Sequence, residues 1–146
     1  MKVDELLAHV TLFGRMDARS IKSLAKLLKT QEYPTGHSIV AEGQIGLGLY
    51  IVLEGACDVL RSGRLLQHLG PGDFFGETAL LDDLPRTADV KTTQPSVCAT
   101  LAKWEFLGEL EAHPEMALPL LPMLSRRLRA AEARADRLAE ELNKPA

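Results

Sequence analysis

The chain has 146 residues, 46% hydrophobic and 25% charged, with 17 Lys and Arg against 20 Asp and Glu for a formal net charge of −3. That length holds one domain with a helix to spare, and the slight acidity excludes a general nucleic-acid surface, which needs a basic excess. Aromatic residues, at 5%, leave a mainly aliphatic core, and no apolar run reaches the length of a membrane span.

The opening stretch, MKVDELLAHVTLFGR, sets acids before its apolar positions and reads as an amphipathic helix over Val3–His9 rather than an export signal. A cytoplasmic protein is therefore expected, with reduced cysteines. Cys57 and Cys98 lie far apart without CxxC spacing and read as small strand residues. A second helix is predicted over Asp17–Lys29, with Asp17 as N-cap and Ile21, Leu24, Leu27 and Leu28 at three-to-four spacing. Residues 1–30 thus form an N-terminal helical segment.

From Gln31 to Leu101 the pattern changes to brief apolar or alternating runs punctuated by turn residues, among them Gly43, Gly55, Ser62-Gly63 and Gly70-Pro71-Gly72. Strands are predicted at Ser38–Ala41, Leu49–Leu53, Cys57–Arg61, Leu65–Leu69, Thr87–Thr92 and Val97–Leu101. So many short strands at close spacing imply a barrel or jelly roll over residues 31–102. In TADVKT the alternation sets Ala88 and Val90 on one face, and Thr87, Asp89 and Lys91 on the other. After Lys103 the chain turns helical again, so residues 103–146 form a C-terminal helical segment. Pro119 and Pro122 argue against an unbroken helix from Pro114, because an interior proline costs about 3 kcal/mol or forces a kink.

Beyond them, Leu121, Leu124, Leu128, Ala131, Ala135, Leu138 and Leu142 alternate three and four apart, a heptad seam that predicts a parallel homodimer through the C-terminal helix. Arg127 and Glu132 flank it as a candidate pair between helices. The competing reading packs the same stripe on the chain's own roll. The fold class is α+β or mainly β: an antiparallel double-stranded β-roll (jelly roll) flanked by N-terminal helices and a long C-terminal helix.

No catalytic residues emerge. There is no nucleophile elbow, phosphate-binding Gly-x-x-x-x-Gly-Lys loop or hydrolase carboxylate pair. His9, His37, His68 and His113 are scattered, which counts against a cupin-like metalloenzyme, the rival class. Two distant cysteines cannot hold an iron–sulfur cluster, and the adjacent Asp82 and Asp83 read as a solvated loop rather than metal ligands. The expectation is no enzyme, no metal and no cofactor. What remains is FFGETALLDDLPRTADV, residues 74–90, in which a glycine, a glutamate and a small apolar turn are followed by Pro-Arg-Thr-Ala. A turn that lets backbone approach a ligand, a helix start near Glu77 and a returning arginine together suggest a pocket for one small anion.

Three segments, YIVLEG, LGPGDFFGETALL with PRTADV after it, and FLGELEAHPEMALPLLPMLSRRL, run in the order found in one family. On them the chain resembles the cyclic-nucleotide-binding domains of the catabolite activator (Crp/Fnr) group, found also in kinase regulatory subunits and nucleotide-gated channels. The resemblance implies a non-enzymatic receptor for cyclic AMP or cyclic GMP, with Phe75, Gly76, Glu77, Thr78, Ala79, Arg86, Thr87 and Ala88 around the ligand. Arg86 would make a bidentate contact to phosphate and Thr87 would add a hydroxyl. Glu77 would accept the ribose 2′-hydroxyl, while Gly76, Thr78 and Ala79 would act through main chain. The helix would cover the purine with Arg127 or Arg129.

The threonine and serine with which the catabolite activator's long helix contacts adenine fall at Ala131 and Glu132 here, so that part of adenine recognition is missing. Thr87 resembles the threonine that cyclic-GMP-preferring relatives place beside the phosphate. Cyclic AMP remains the favoured ligand. The group's transcription factors continue into a helix-turn-helix, which this sequence lacks, so DNA binding is not expected. The chain would act on a dimer mate or protein effector, or form the sensor of a longer polypeptide. The remaining alternative is a ligand-free β-roll dimerisation module.

Overall fold

The computed structural model describes residues 2–82 and 84–145. Helices α1 (Val3–Ala8) and α2 (Ala18–Ala25) flank a 3-10 turn at Thr11–Phe13. Asp17 caps α2 as expected, accepting a hydrogen bond from the Ser20 amide at 2.8 Å. The helix stops four residues before the predicted Lys29, however. Leu27 and Leu28 pack on the core from a turn, and Lys29–Tyr33 becomes strand β1, satisfying its backbone against β8.

The strands that follow are β2 (Ser38–Val40), β3 (Gly48–Glu54), β4 (Cys57–Arg61), β5 (Arg64–Leu69), β6 (Phe74–Phe75), β7 (Asp89–Thr92) and β8 (Ser96–Ala102). They form two antiparallel four-stranded sheets, ordered β1-β8-β3-β6 and β2-β7-β4-β5, the expected double-stranded roll. Two strands escaped the sequence reading: β1 is polar and exposed except at Tyr33, and β6 has only two residues. β7 is shorter than predicted, since Thr87 and Ala88 lie in the bend before it.

β3 lies at the boundary between two cores, which is why GLYIVLE reads as a continuous apolar run. Leu49 and Ile51 face the helices together with Leu7, Phe13, Leu80, Leu101 and Phe106. Tyr50 and Val52 face into the roll with Cys57, Leu69, Val90 and Cys98. Both cysteines are buried and free.

After β8, α3 (Lys103–Ala112) leads through a 3-10 turn at Pro114–Ala117 to α4 (Leu120–Leu142). Pro119 forms the N-terminal boundary of α4, and Pro122 sits in its first turn, where amides have no helical partner to lose. The break expected near these prolines is present. Leu120 and Met123 bury against the body, while Leu121, Leu124, Leu128, Leu138 and Leu142 are exposed. The leucine stripe therefore does not pack on the chain's own roll. Among the described residues, no helix is long and apolar enough to cross a membrane.

The two ends of the chain meet at Phe106, fully buried with its ring centroid 5.7 Å from that of Phe13. Phe106→Ala is expected to cost about 3–5 kcal/mol by urea unfolding, against about 1 kcal/mol for Asp17→Ala, which removes only a cap.

Candidate functional site

The segment after β5 approaches the roll through β6, where Phe75 pairs with Tyr50 and their rings stack at 5.0 Å. Gly76 then takes a left-handed conformation, φ 83°, pressed against Gly48 O and the Arg86 guanidinium, so a Cβ there would collide with both. Where sequence suggested a helix, Glu77–Leu80 makes a single 3-10 turn, pinned by buried Ala79 and Leu80. A turn this short contributes a few oriented amides rather than a helix dipole.

Arg86 returns on the far side of this turn. Its backbone is fixed twice to the β2–β3 loop: its amide donates to Gln44 O at 2.6 Å and its carbonyl accepts from the Gly43 amide at 2.8 Å. The side chain turns inward, into a slot that exists because residues 46 and 76 are glycines. There Nη2 donates to Gly48 O at 2.7 Å, while Nε is buried with no partner among the described residues. Burial lowers the guanidinium's pKa below its ordinary value, opposed by Tyr50 and Asp82. An unpaired buried donor on a cation is costly to leave so, and an anion is the partner that would satisfy it best.

Arg86 lines a cleft of about 390 Å³ together with Phe75, Gly76, Thr78, Ala79, Thr87 and Ala88. Seven of the nine predicted residues thus share one cavity wall. Glu77 and Arg127 do not line it. Glu77 is only 8% exposed; its Oε1 is held by Arg127 Nη1 of α4, and its Oε2 accepts from the Leu12 amide at 3.2 Å. Arg127, expected to cover a purine and to pair with Glu132 of a second helix, closes over Glu77 within this chain, and Arg129 is exposed. Glu77 is therefore the point where the N-terminal 3-10 turn, the 74–90 segment (the cassette) and α4 meet.

The rest of the lining was missed by the sequence reading. Val40, Val59, Arg61, Leu66, Gln67 and Leu84 also line the cleft. Period-two alternation from buried Cys57 would have placed Val59 and Arg61 inward; the others depend on register and loop path. Asp82 lines the cleft too, and its carbonyl accepts from Lys103 Nζ of α3 at 2.6 Å. Asp83 lies outside the described residues. Among those described, no group of three or more His, Cys, Asp or Glu is placed to hold a metal.

The sequence profile of the cyclic nucleotide-binding domain matches residues 30–113. The chain belongs to the cyclic nucleotide-binding domain family. It is 34% identical over 132 residues to a CRP-like cAMP-activated global transcriptional regulator of Mycobacterium tuberculosis, an alignment covering 87% of this chain and 59% of that protein. It is 38% identical over 104 residues to a cAMP-dependent protein kinase regulatory subunit of Eremothecium gossypii, covering 70% and 23% respectively. It thus spans well under two thirds of either relative. The N-terminal domain of a Streptomyces coelicolor transcriptional regulator superposes with a TM-score of 0.81 at 27% identity, over 89% of this chain and 94% of that one.

Arg127→Ala would leave the buried Glu77 carboxylate with the Leu12 amide as its remaining side-chain partner. A loss of about 1–3 kcal/mol in unfolding stability is expected, with faster amide exchange in the first half of α4. Unchanged exchange there would show that the contact does not hold the helix.

Proposed function

We propose that this chain is a non-enzymatic receptor module for a 3′,5′-cyclic nucleotide, cyclic AMP ahead of cyclic GMP, which passes occupancy to α4 and thence to a dimer mate or protein effector. The observation that carries the reading is Arg86: a half-buried guanidinium whose Nε is buried and unpaired among the described residues, set in a glycine slot on the wall of a cleft. A cyclic phosphodiester carries one negative charge on two free oxygens, matching that fork without the second charge a linear monophosphate brings. Thr87 supports the phosphate side with a hydroxyl. The regulator and kinase subunit named above, both described by their response to cyclic AMP, favour that nucleotide.

Transmission would run through Glu77. A ribose 2′-hydroxyl donating to this carboxylate joins a site already shared by Arg127 and the Leu12 amide, so occupancy changes how firmly α4 is held. Ligand can shift the helix only by as much as it binds the closed state more tightly than the open one, about 1–3 kcal/mol for an allosteric module. In this reading residues 1–30 are the N-terminal helices, 31–102 the binding roll and 103–146 the lid and dimerisation segment, with the hinge at Pro119 and Pro122. The exposed leucine stripe of α4 is the surface for a parallel homodimer through residues 121–142. The protein would act in the cytoplasm, without direct DNA contact by this chain.

Calorimetric titration is expected to show saturable one-to-one binding of cyclic AMP and none of linear 5′-AMP. Arg86→Leu should abolish most of it, and Glu77→Ala should weaken it by about 1–3 kcal/mol. Heat-free titrations would favour the ligand-free dimerisation module, and wild-type affinity in both variants would refute the pocket. Added nucleotide should slow amide exchange across residues 123–135 as well as 75–88; protection confined to 75–88 would mean a pocket without a switch. Light scattering that shows a monomer at high micromolar concentration, with and without nucleotide, would defeat the dimer.

A further inference from the structure

Among the described residues, the lining of the cleft carries three charged side chains, Arg61, Asp82 and Arg86. Two positive charges and one negative leave a balance of one positive charge. Asp82 is the member of this set that the receptor reading does not use, and the chain around it fixes it in place. Its Oδ1 accepts from the Leu84 amide at 3.2 Å, its carbonyl accepts from Lys103 Nζ at 2.6 Å, and its own amide donates to Thr78 O at 3.2 Å. Lys103 reaches it from the start of α3 and is not part of the lining. The half-buried carboxylate is thus held at the wall, where its charge opposes the effect of burial on Arg86.

We propose that Asp82 selects ligands by charge: it trims the cleft to a single positive charge, so that a phosphodiester monoanion is accepted and a phosphomonoester dianion is turned away. The inference rests on the cyclic-nucleotide reading above and names the residue that makes that site selective. A cyclic nucleotide and its linear 5′-monophosphate share base, ribose and phosphorus, and differ in ring closure and in charge. The linear form carries close to two negative charges above its second pKa, about 6. Taking an anion out of water costs roughly in proportion to the square of its charge, whereas attraction to the cleft grows only in direct proportion. Two arginines unopposed would suit a dianion. With Asp82 beside them the balance suits a monoanion, and a second charge gains too little attraction to offset its desolvation. Selection then comes from a repulsive element rather than from an added contact.

The test separates charge from shape. Competition against cyclic AMP is measured at about pH 8 for linear 5′-AMP and for its phosphate methyl ester, which is just as open but is a monoanionic phosphodiester. Wild type, Asp82→Asn and Asp82→Glu are compared as the full chain. Asn keeps an acceptor for the Leu84 amide, and Lys103 holds main chain, so Asp82→Asn should keep the wild-type thermal midpoint. In wild type the ester is expected to compete about fivefold or more better than 5′-AMP despite its extra methyl group, the scale of a like-charge pair at a hydrated protein surface. Asp82→Asn should erase that ratio by a gain on 5′-AMP, with a smaller gain on cyclic AMP, and Asp82→Glu, which keeps the charge, should preserve it. A wild type that rejects the ester as firmly as 5′-AMP would mean a sieve of shape and overturn the proposal, as would an unchanged ratio in Asp82→Asn; either result leaves the receptor reading standing while cyclic AMP still binds. A wild type that does not bind cyclic AMP would overturn both.

Discussion

Everything about this pocket follows from holding one guanidinium partly out of water. Arg86 carries a charge that burial disfavours, and the fold supplies one hydrogen bond, to Gly48 O, where the group has five donors to satisfy. A charge so placed is tolerated only if the backbone around it cannot retreat. Two main-chain bonds to Gln44 and Gly43, and the absence of side chains at residues 46 and 76, provide that rigidity. Under the proposed function, the unused hydrogen-bonding capacity would serve the phosphate of the ligand. Stability given up at the site is recovered in two separate hydrocarbon cores, one inside the roll and one between the roll and the helices.

The same logic governs the carboxylate beside it. Glu77 adjoins Gly76 in sequence but does not itself line the cleft, and its two oxygens are bound to elements far apart in the chain. A buried carboxylate with a single fixed partner would serve as a structural ion pair. One divided between an amide of the N-terminal turn and the arginine of a half-detached helix is instead sensitive to any new donor. Under the proposed function, arrival and response would be separate: Arg86 would meet the charge, and Glu77 would relay its presence to the N-terminal 3-10 turn and to α4.

How much of this was legible beforehand depended on whether the physics was local. The hairpins were readable because Gly-rich turns and short apolar runs are local signals, and Asp17 announced its helix for the same reason. The cassette residues were readable because glycine, arginine and threonine stand at fixed offsets within one continuous segment. β1 was not: its exposed polar side chains carry no periodicity, and it is a strand because β8 offers an unpaired edge. Leu66 and Gln67 were hidden by a single unpaired residue that reverses the facing of its neighbours. Nor could any spacing rule bring Arg127 to Glu77, fifty positions away, since that contact depends on where the chain restarts its helix after Pro119.

That restart also has a mechanical aspect. With 23 residues rising from a fixed start at Pro119, α4 is a rod of about 34 Å that touches the body only along its first two turns. A rod clamped at one end converts small angles into large displacements. A tilt of about 10° at its root sweeps the tip through about 6 Å, more than the pitch of the helix itself. Under the proposed function, a partner on the distal leucines would therefore feel, as a change of register or spacing, an event that at the cleft amounts to one hydrogen bond.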